Sequence, residues 1–182
     1  MSLGKQISEH DARLLFDKHS AYVFKTAYLM CKSKVLADDI LQETFIQVFR
    51  KYHMYDASKP FEPWLYRITV NIAKNMLRKQ KWVSVTEESQ EQANPSEPAP
   101  SEQLLQEEMS AVIKSELDKL SFKSREVIVL HFYTGLTLAE VAETLGIPIG
   151  TCKSRLHTAL TQLRRQLNDN DFFEFQARGG LI

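Results

Sequence analysis

The stretch VTEESQEQANPSEPAPSEQ, residues 85–103, is the strongest constraint on what this chain folds into. It is rich in Glu, Ser, Pro and Gln and has almost no apolar residue. Such a segment buries too little surface to offset the entropy of ordering it. Loops beyond about 12–15 residues are uncommon inside compact domains. The stretch therefore reads as a linker that divides the 182 residues into two small units.

Both units carry helical rather than strand periodicity. Before the linker, Leu14, Leu15, Tyr22, Val23 and Ala27 begin one helix pattern. Leu36, Ile40, Leu41, Phe45, Val48, Phe49 and Tyr52 form a second, and Trp64, Leu65, Ile68, Ile72, Met76 and Leu77 a third. HMYDASKPFEP, with two prolines, reads as a turn-rich loop between the last two. After the linker, EEMSAVIKSELDKL and KSREVIVLHFYTG read as helices, with Gly135 as the stop of the second. TLAEVAETLG opens with Thr137 and Glu140 at capping-box spacing and closes on Gly146. PIGTCKSRLHTALTQLRRQL opens with Pro148, which a first helical turn tolerates. The expectation is an all-α protein of two small helical domains joined by a flexible acidic linker. The expected boundaries are 1–82, 83–108 for the linker, 109–168, and a tail of unknown role over 169–182.

Charge is segregated along a chain that is neutral overall. Residues 1–81 hold 14 basic and 8 acidic residues, 82–110 hold seven Glu and no basic residue, and 111–167 hold 8 basic and 5 acidic. Two basic modules around an acidic segment suit a polyanionic partner. No apolar run approaches the roughly 20 residues of a membrane-spanning helix, and the N-terminus lacks a signal-peptide pattern. Cys31 and Cys152 have no metal-ligand spacing and read as core thiols in a reducing cytoplasm. The five histidines have no matching nucleophile, and there is no phosphate-binding glycine loop. Neither an enzyme nor a metal, cofactor or small-molecule substrate is expected.

Three surfaces carry the functional signal. The last two helices, joined by a short glycine turn, have the form of a helix-turn-helix. Its second helix would present Thr151, Lys153, Ser154, Arg155, His157 and Thr158 to the major groove, with Arg suited to guanine and Lys to phosphate. The same helix would bury Cys152, Leu156, Leu160, Leu163 and Leu167. In PWLYRITVNIAKNMLRKQK, a helix from near Pro63 would line up Arg67, Asn71, Lys74, Asn75 and Arg78 on one side, beside Trp64 and Tyr66. Phosphate-binding charge, amides for base edges and rings for stacking suit a single strand. The third surface is Asp38, Asp39, Gln42, Glu43 and Gln47, opposite the second helix's apolar stripe.

Taken jointly, ADDILQETFIQVFRKY, FEPWLYRITVNIAKNMLRKQK and LSFKSREVIVLHFYTGLTLAEVAETLGIPIGTCKSRLHTAL resemble bacterial sigma factors of the extracytoplasmic-function (ECF) group. The resemblance covers about residues 11–81 as region 2 and 111–167 as region 4. It implies that Asp38, Asp39, Gln42, Glu43 and Gln47 dock on the β′ clamp helices of core RNA polymerase. It implies that the loop 53–63, with Phe61, captures a base flipped from the −10 element. Trp64, Tyr66, Arg67, Asn71, Lys74, Asn75 and Arg78 would melt and read that element as single strand. The last helix would read the −35 element as duplex, beside the β flap. The linker would thread toward the RNA exit path, and the expected regulator is an anti-sigma factor, often membrane-anchored. Thr158, Leu160 and Thr161 stand where the family usually has basic residues, which weakens the phosphate grip of that helix. The rival is a stand-alone helix-turn-helix regulator with residues 11–81 as a sensor or dimerisation domain. An RNA-binding protein is a third reading, which leaves the helix-turn-helix without a purpose.

Overall fold

The computed structural model describes residues 7–86 and 111–167, so the expected linker and tail lie almost wholly outside it. Helix α1 is Glu9–Cys31, α2 Lys34–Lys51 and α3 Phe61–Thr86. Beyond the linker come α4 Ala111–Lys119, α5 Phe122–Ile128, α6 Leu138–Leu145 and α7 Ile149–Gln166. No strand occurs among the described residues.

Local chemistry sets most of the boundaries. Ser8 caps α1 by accepting from the Asp11 amide at 3.0 Å. Lys32 closes α1 in the left-handed conformation at φ 64°, and Ser33 at once caps α2. This tight turn folds α1 and α2 into a hairpin, and α3 packs across both. Pro63 sits in the first turn of α3, where its missing N–H leaves no helical bond unmade. The helix begins at Phe61, two residues before the expected start, and runs to Thr86, past the expected linker boundary.

In the second half, Ser121 caps α5, which passes into a single π turn over Val129–Tyr133. The Thr134 amide bonds the Val129 carbonyl at 3.2 Å, and the Thr134 hydroxyl donates to the Leu130 carbonyl at 2.6 Å. Gly135 then turns the chain at φ 73°. Thr137 and Glu140 form the expected capping box, and Gly146 ends α6 at φ 64°. Pro148 is the residue just before α7 rather than inside it.

Three apolar clusters occur among the described residues. Val23, Phe45, Val48 and Leu65 fill one end of the first bundle. Ile113, Leu117, Leu120, Ile128, Ala159, Leu163 and Leu167 hold α4, α5 and α7 together. The third belongs to both halves: Phe24, Ala27, Met30, Tyr66, Val70 and Ala73 pack with Val127, Leu130, Leu136, Val141 and Cys152. The two units expected to be separate thus share a core. The run from Ser124 to Leu130 is buried without interruption, as a helix covered on all sides must be.

Charged groups also cross the junction. Arg125, buried in α5, donates to the Met30 carbonyl at the end of α1 at 3.0 Å and to the Leu120 carbonyl at 2.9 Å. Lys32 bonds the Asp118 carbonyl and lies 3.9 Å from its carboxylate. Lys114 lies over the Tyr28 ring at 4.6 Å.

Candidate nucleic-acid interface

Helix α3 builds the first surface. Arg67, Asn71, Asn75 and Arg78 are exposed along one side, at the expected helical spacing. Arg78 reaches back to the Asn75 side-chain oxygen at 3.5 Å. Two of the expected members are placed differently. Tyr66 is 3% exposed and lies in the shared core, where burial pushes its hydroxyl pKa up. Its position, one residue before Arg67, turns it about 100° away from the basic face. Lys74 points to the second half of the chain and lies 2.9 Å from Glu126.

The loop before α3 holds an aromatic cluster. The Trp64 ring lies 5.3 Å from Tyr55 and 5.6 Å from Phe61, and Phe61 lies 5.2 Å from His19. Asp56 shapes the loop tip by accepting from the Ser58 amide and hydroxyl, which holds its carboxyl below the usual range. The Tyr55 hydroxyl donates to the Lys59 carbonyl at 2.5 Å. Trp64 is half-buried and packs against the first bundle's core. It also lines a cleft of about 330 Å³, with Tyr55, Lys59 and Arg67 on one wall and Glu140, Glu143 and Thr144 of α6 on the other.

Helix α7 carries the second surface. Lys153, Ser154, His157 and Thr158 are exposed and Thr151 half-exposed. The Ser154 hydroxyl donates to Thr151 and the Thr158 hydroxyl to Ser154, both to backbone carbonyls at 3.0 Å. Of the residues expected inside, Cys152, Leu163 and Leu167 are buried, whereas Leu156 and Leu160 are partly covered and Ala159 takes the central place. Arg155 departs from the expected outward face: it folds back and donates to Glu126 at 2.9 Å.

Glu126 is the residue that sequence reasoning missed. Its side chain is 2% exposed and lies between Lys74 of α3 and Arg155 of α7. Arg155 makes an aligned hydrogen bond to Oε1, while Lys74 approaches Oε2 as a charge contact only. Removing one partner of a buried pair costs about 3–5 kcal/mol, since the charge left behind stays buried. The available signal was the run EVIVL, an acid at the head of four apolar residues too continuous for a one-faced helix.

The α2 surface is separate from these. Asp38, Asp39 and Gln42 are exposed, while Glu43 and Gln47 are half-buried and hydrogen-bonded to each other at 2.8 Å. Partial burial, then the neighbouring Asp39, raises the Asp38 pKa. No group of three potential metal ligands occurs among the described residues.

The profile described as Sigma-70 region 2 matches residues 15–83, and that described as Sigma-70, region 4 matches residues 117–165. The chain is 33% identical over 177 residues to the ECF RNA polymerase sigma factor SigW of Bacillus subtilis, covering 91% of this chain and 95% of that protein. It is also 33% identical over 155 residues to the ECF sigma factor SigE of Mycolicibacterium smegmatis, covering 84% of this chain and 60% of that longer protein. Among solved structures, the fold is similar to the sigma factor RpoE of Bartonella quintana, in complex with the anti-sigma factor NepR. There the TM-score is 0.71 at 22% identity, over 86% of this chain and 96% of that one. It is also similar to CnrH in complex with the cytosolic domain of CnrY, with TM-score 0.62 at 23% identity, over 87% and 88%. These relatives are sigma factors, not enzymes. With regions 2 and 4 both matched in order and a relative aligned over almost its whole length, the chain belongs to the ECF family of RNA polymerase sigma factors.

Proposed function

We propose that this sigma factor docks on core RNA polymerase through Asp38, Asp39 and Gln42. Region 2 then reads the −10 element as single strand, and region 4 reads the −35 element as duplex. The observation that carries the division is the exposed row Arg67, Asn71, Asn75 and Arg78 on α3, beside an aromatic loop and cleft. Opening a promoter requires holding the unstacked strand better than the duplex. Flipping a base costs a few kcal/mol, which a pocket and phosphate contacts offset. Cations spaced along the helix grip phosphates, and the two amides between them supply base-edge donors and acceptors.

On α7, Lys153 and Arg155 are the proposed grip on the −35 duplex, with Thr151, Ser154, His157 and Thr158 at the groove. Loss of Lys153 weakens binding on every sequence, whereas loss of Arg155 also leaves the buried Glu126 carboxylate short of a partner and so lowers stability besides. The protein acts in the cytoplasm with no catalysis of its own, and an anti-sigma factor controls it. No described helix is long and apolar enough to cross a membrane.

The test is Asn71→Ala, assayed by run-off transcription on promoters varied one base at a time across the −10 element. Loss of discrimination at one or two positions, worth about 1–3 kcal/mol each, is expected. An equal fall on every variant would show that Asn71 reads no base.

A further inference from the structure

Ile149 is 44% exposed at the start of α7. Among the described residues of region 4 it is the one large apolar side chain left to solvent. Ile147, two residues earlier, packs with the common core, whereas Ile149 belongs to none of the three apolar clusters. A lone exposed isoleucine needs no explanation by itself. Its place on the helix supplies one. Ile149, Lys153 and His157 stand four residues apart and form one exposed ridge. Gly150, Ser154 and Thr158 form the ridge beside it, exposed over the same length. A duplex that meets Lys153 and Ser154 therefore meets Ile149 and Gly150 one turn earlier.

Gly150 is an independent observation on the same turn. It has no left-handed φ, unlike Gly135 and Gly146, and no atom lies within 4 Å of an added Cβ. Neither backbone nor packing in the free chain calls for glycine there, and alanine is the better helix former. A missing Cβ serves a partner that approaches the helix backbone closely.

We propose that this first turn reads a thymine: the Ile149 side chain packs on the 5-methyl group of a thymine in the −35 element, and Gly150 lets the duplex close against the helix. The proposal rests on the reading of α7 as the −35 helix. N-terminal side chains of a recognition helix reach base edges. In the major groove only thymine presents a methyl group, and apolar side chains contact it. Cytosine in the same place would set its exocyclic amine against alkyl carbon, an unpaired donor removed from water. Ile149 thus supplies base choice on a face whose Arg155 is drawn back to Glu126.

The experiment is run-off transcription at limiting holoenzyme, formed with the full chain, on a promoter that the protein activates. Each thymine of the −35 element, on either strand, is replaced singly by deoxyuridine, which removes only the 5-methyl group. Wild type is expected to lose about fourfold at one such position, the size expected for one buried methyl group. Ile149→Ala should transcribe the thymine and deoxyuridine templates equally at that position. Leu14→Ala, the same truncation of an exposed side chain on α1, should keep the wild-type dependence. Gly150→Ala should hold or raise the urea midpoint yet lower transcription by about tenfold, the size of one lost base contact.

No loss on any deoxyuridine template, where scrambling the −35 element does lower transcription, overturns the proposal. So does an Ile149→Ala protein with wild-type methyl dependence, or a Gly150→Ala protein with wild-type transcription. If scrambling the −35 element changes nothing, the reading of α7 itself fails and takes the proposal with it.

Discussion

His19 illustrates how a single residue is set by its surroundings. It is 5% exposed on α1, packed against the Phe61 ring. Burial, then nearby Lys18, lowers its pKa from the ordinary 6.5, while Glu62 opposes this weakly. The folded form therefore binds the proton less readily than the unfolded form does. Stability should fall as pH drops from near 6.5 toward the lower folded value, then level off in this contribution. Urea midpoints of wild type and His19→Leu should diverge across that window, with the variant's dependence shallower. Parallel curves would contradict the assignment. Residue-scale readings from sequence succeeded where spacing alone decides, as with the exposed Arg67, Asn71, Asn75 and Arg78. They set Tyr66, Lys74 and Arg155 on the outward faces, whereas Tyr66 is buried and Lys74 and Arg155 turn to Glu126, because a side chain's partner across a tertiary contact leaves no mark on local periodicity. Glu126 was passed over for the same reason.

Among the elements, the helix-turn-helix was the most legible. Its boundaries rest on local chemistry: the Thr137–Glu140 capping box, the left-handed Gly146 and the proline before α7. Gly146 stands at φ 64° with no atom near an added Cβ, so Gly146→Ala pays only for the left-handed backbone. That penalty is about 1–2 kcal/mol, which chemical denaturation should resolve. An unchanged midpoint would mean that the turn relaxes into another conformation. Less legible was the end of α5, where Val129–Tyr133 makes a π turn. KSREVIVLHFYTG has helical content throughout, and the extra residue in the turn depends on tertiary packing and the Thr134 hydroxyl's bond to Leu130. The start of α3 at Phe61 was likewise hidden, because Pro63 is compatible with any position in the first turn.

At the scale of the whole molecule, composition separated two helical units correctly but did not reveal that they meet. The apolar residues of α1, α3 and α5 could each have been spent inside their own unit. Only the continuous burial from Ser124 to Leu130 shows a helix covered from both directions. The common core and the polar contacts at Lys74 and Arg125 join regions 2 and 4 in one body and leave Asp38, Asp39 and Gln42 of α2 exposed. That arrangement makes sense for a subunit that works only after joining a larger machine. The central claim is that this chain makes core polymerase promoter-specific, and transcription from fragmented genomic DNA by core enzyme, with and without the protein, tests it directly. With the protein, RNA 5′ ends should collect at a few positions downstream of a shared −35 and −10 pair, absent from core enzyme alone. Unchanged 5′ ends, together with tight binding of the free protein to one duplex operator, would contradict the account and favour a stand-alone regulator.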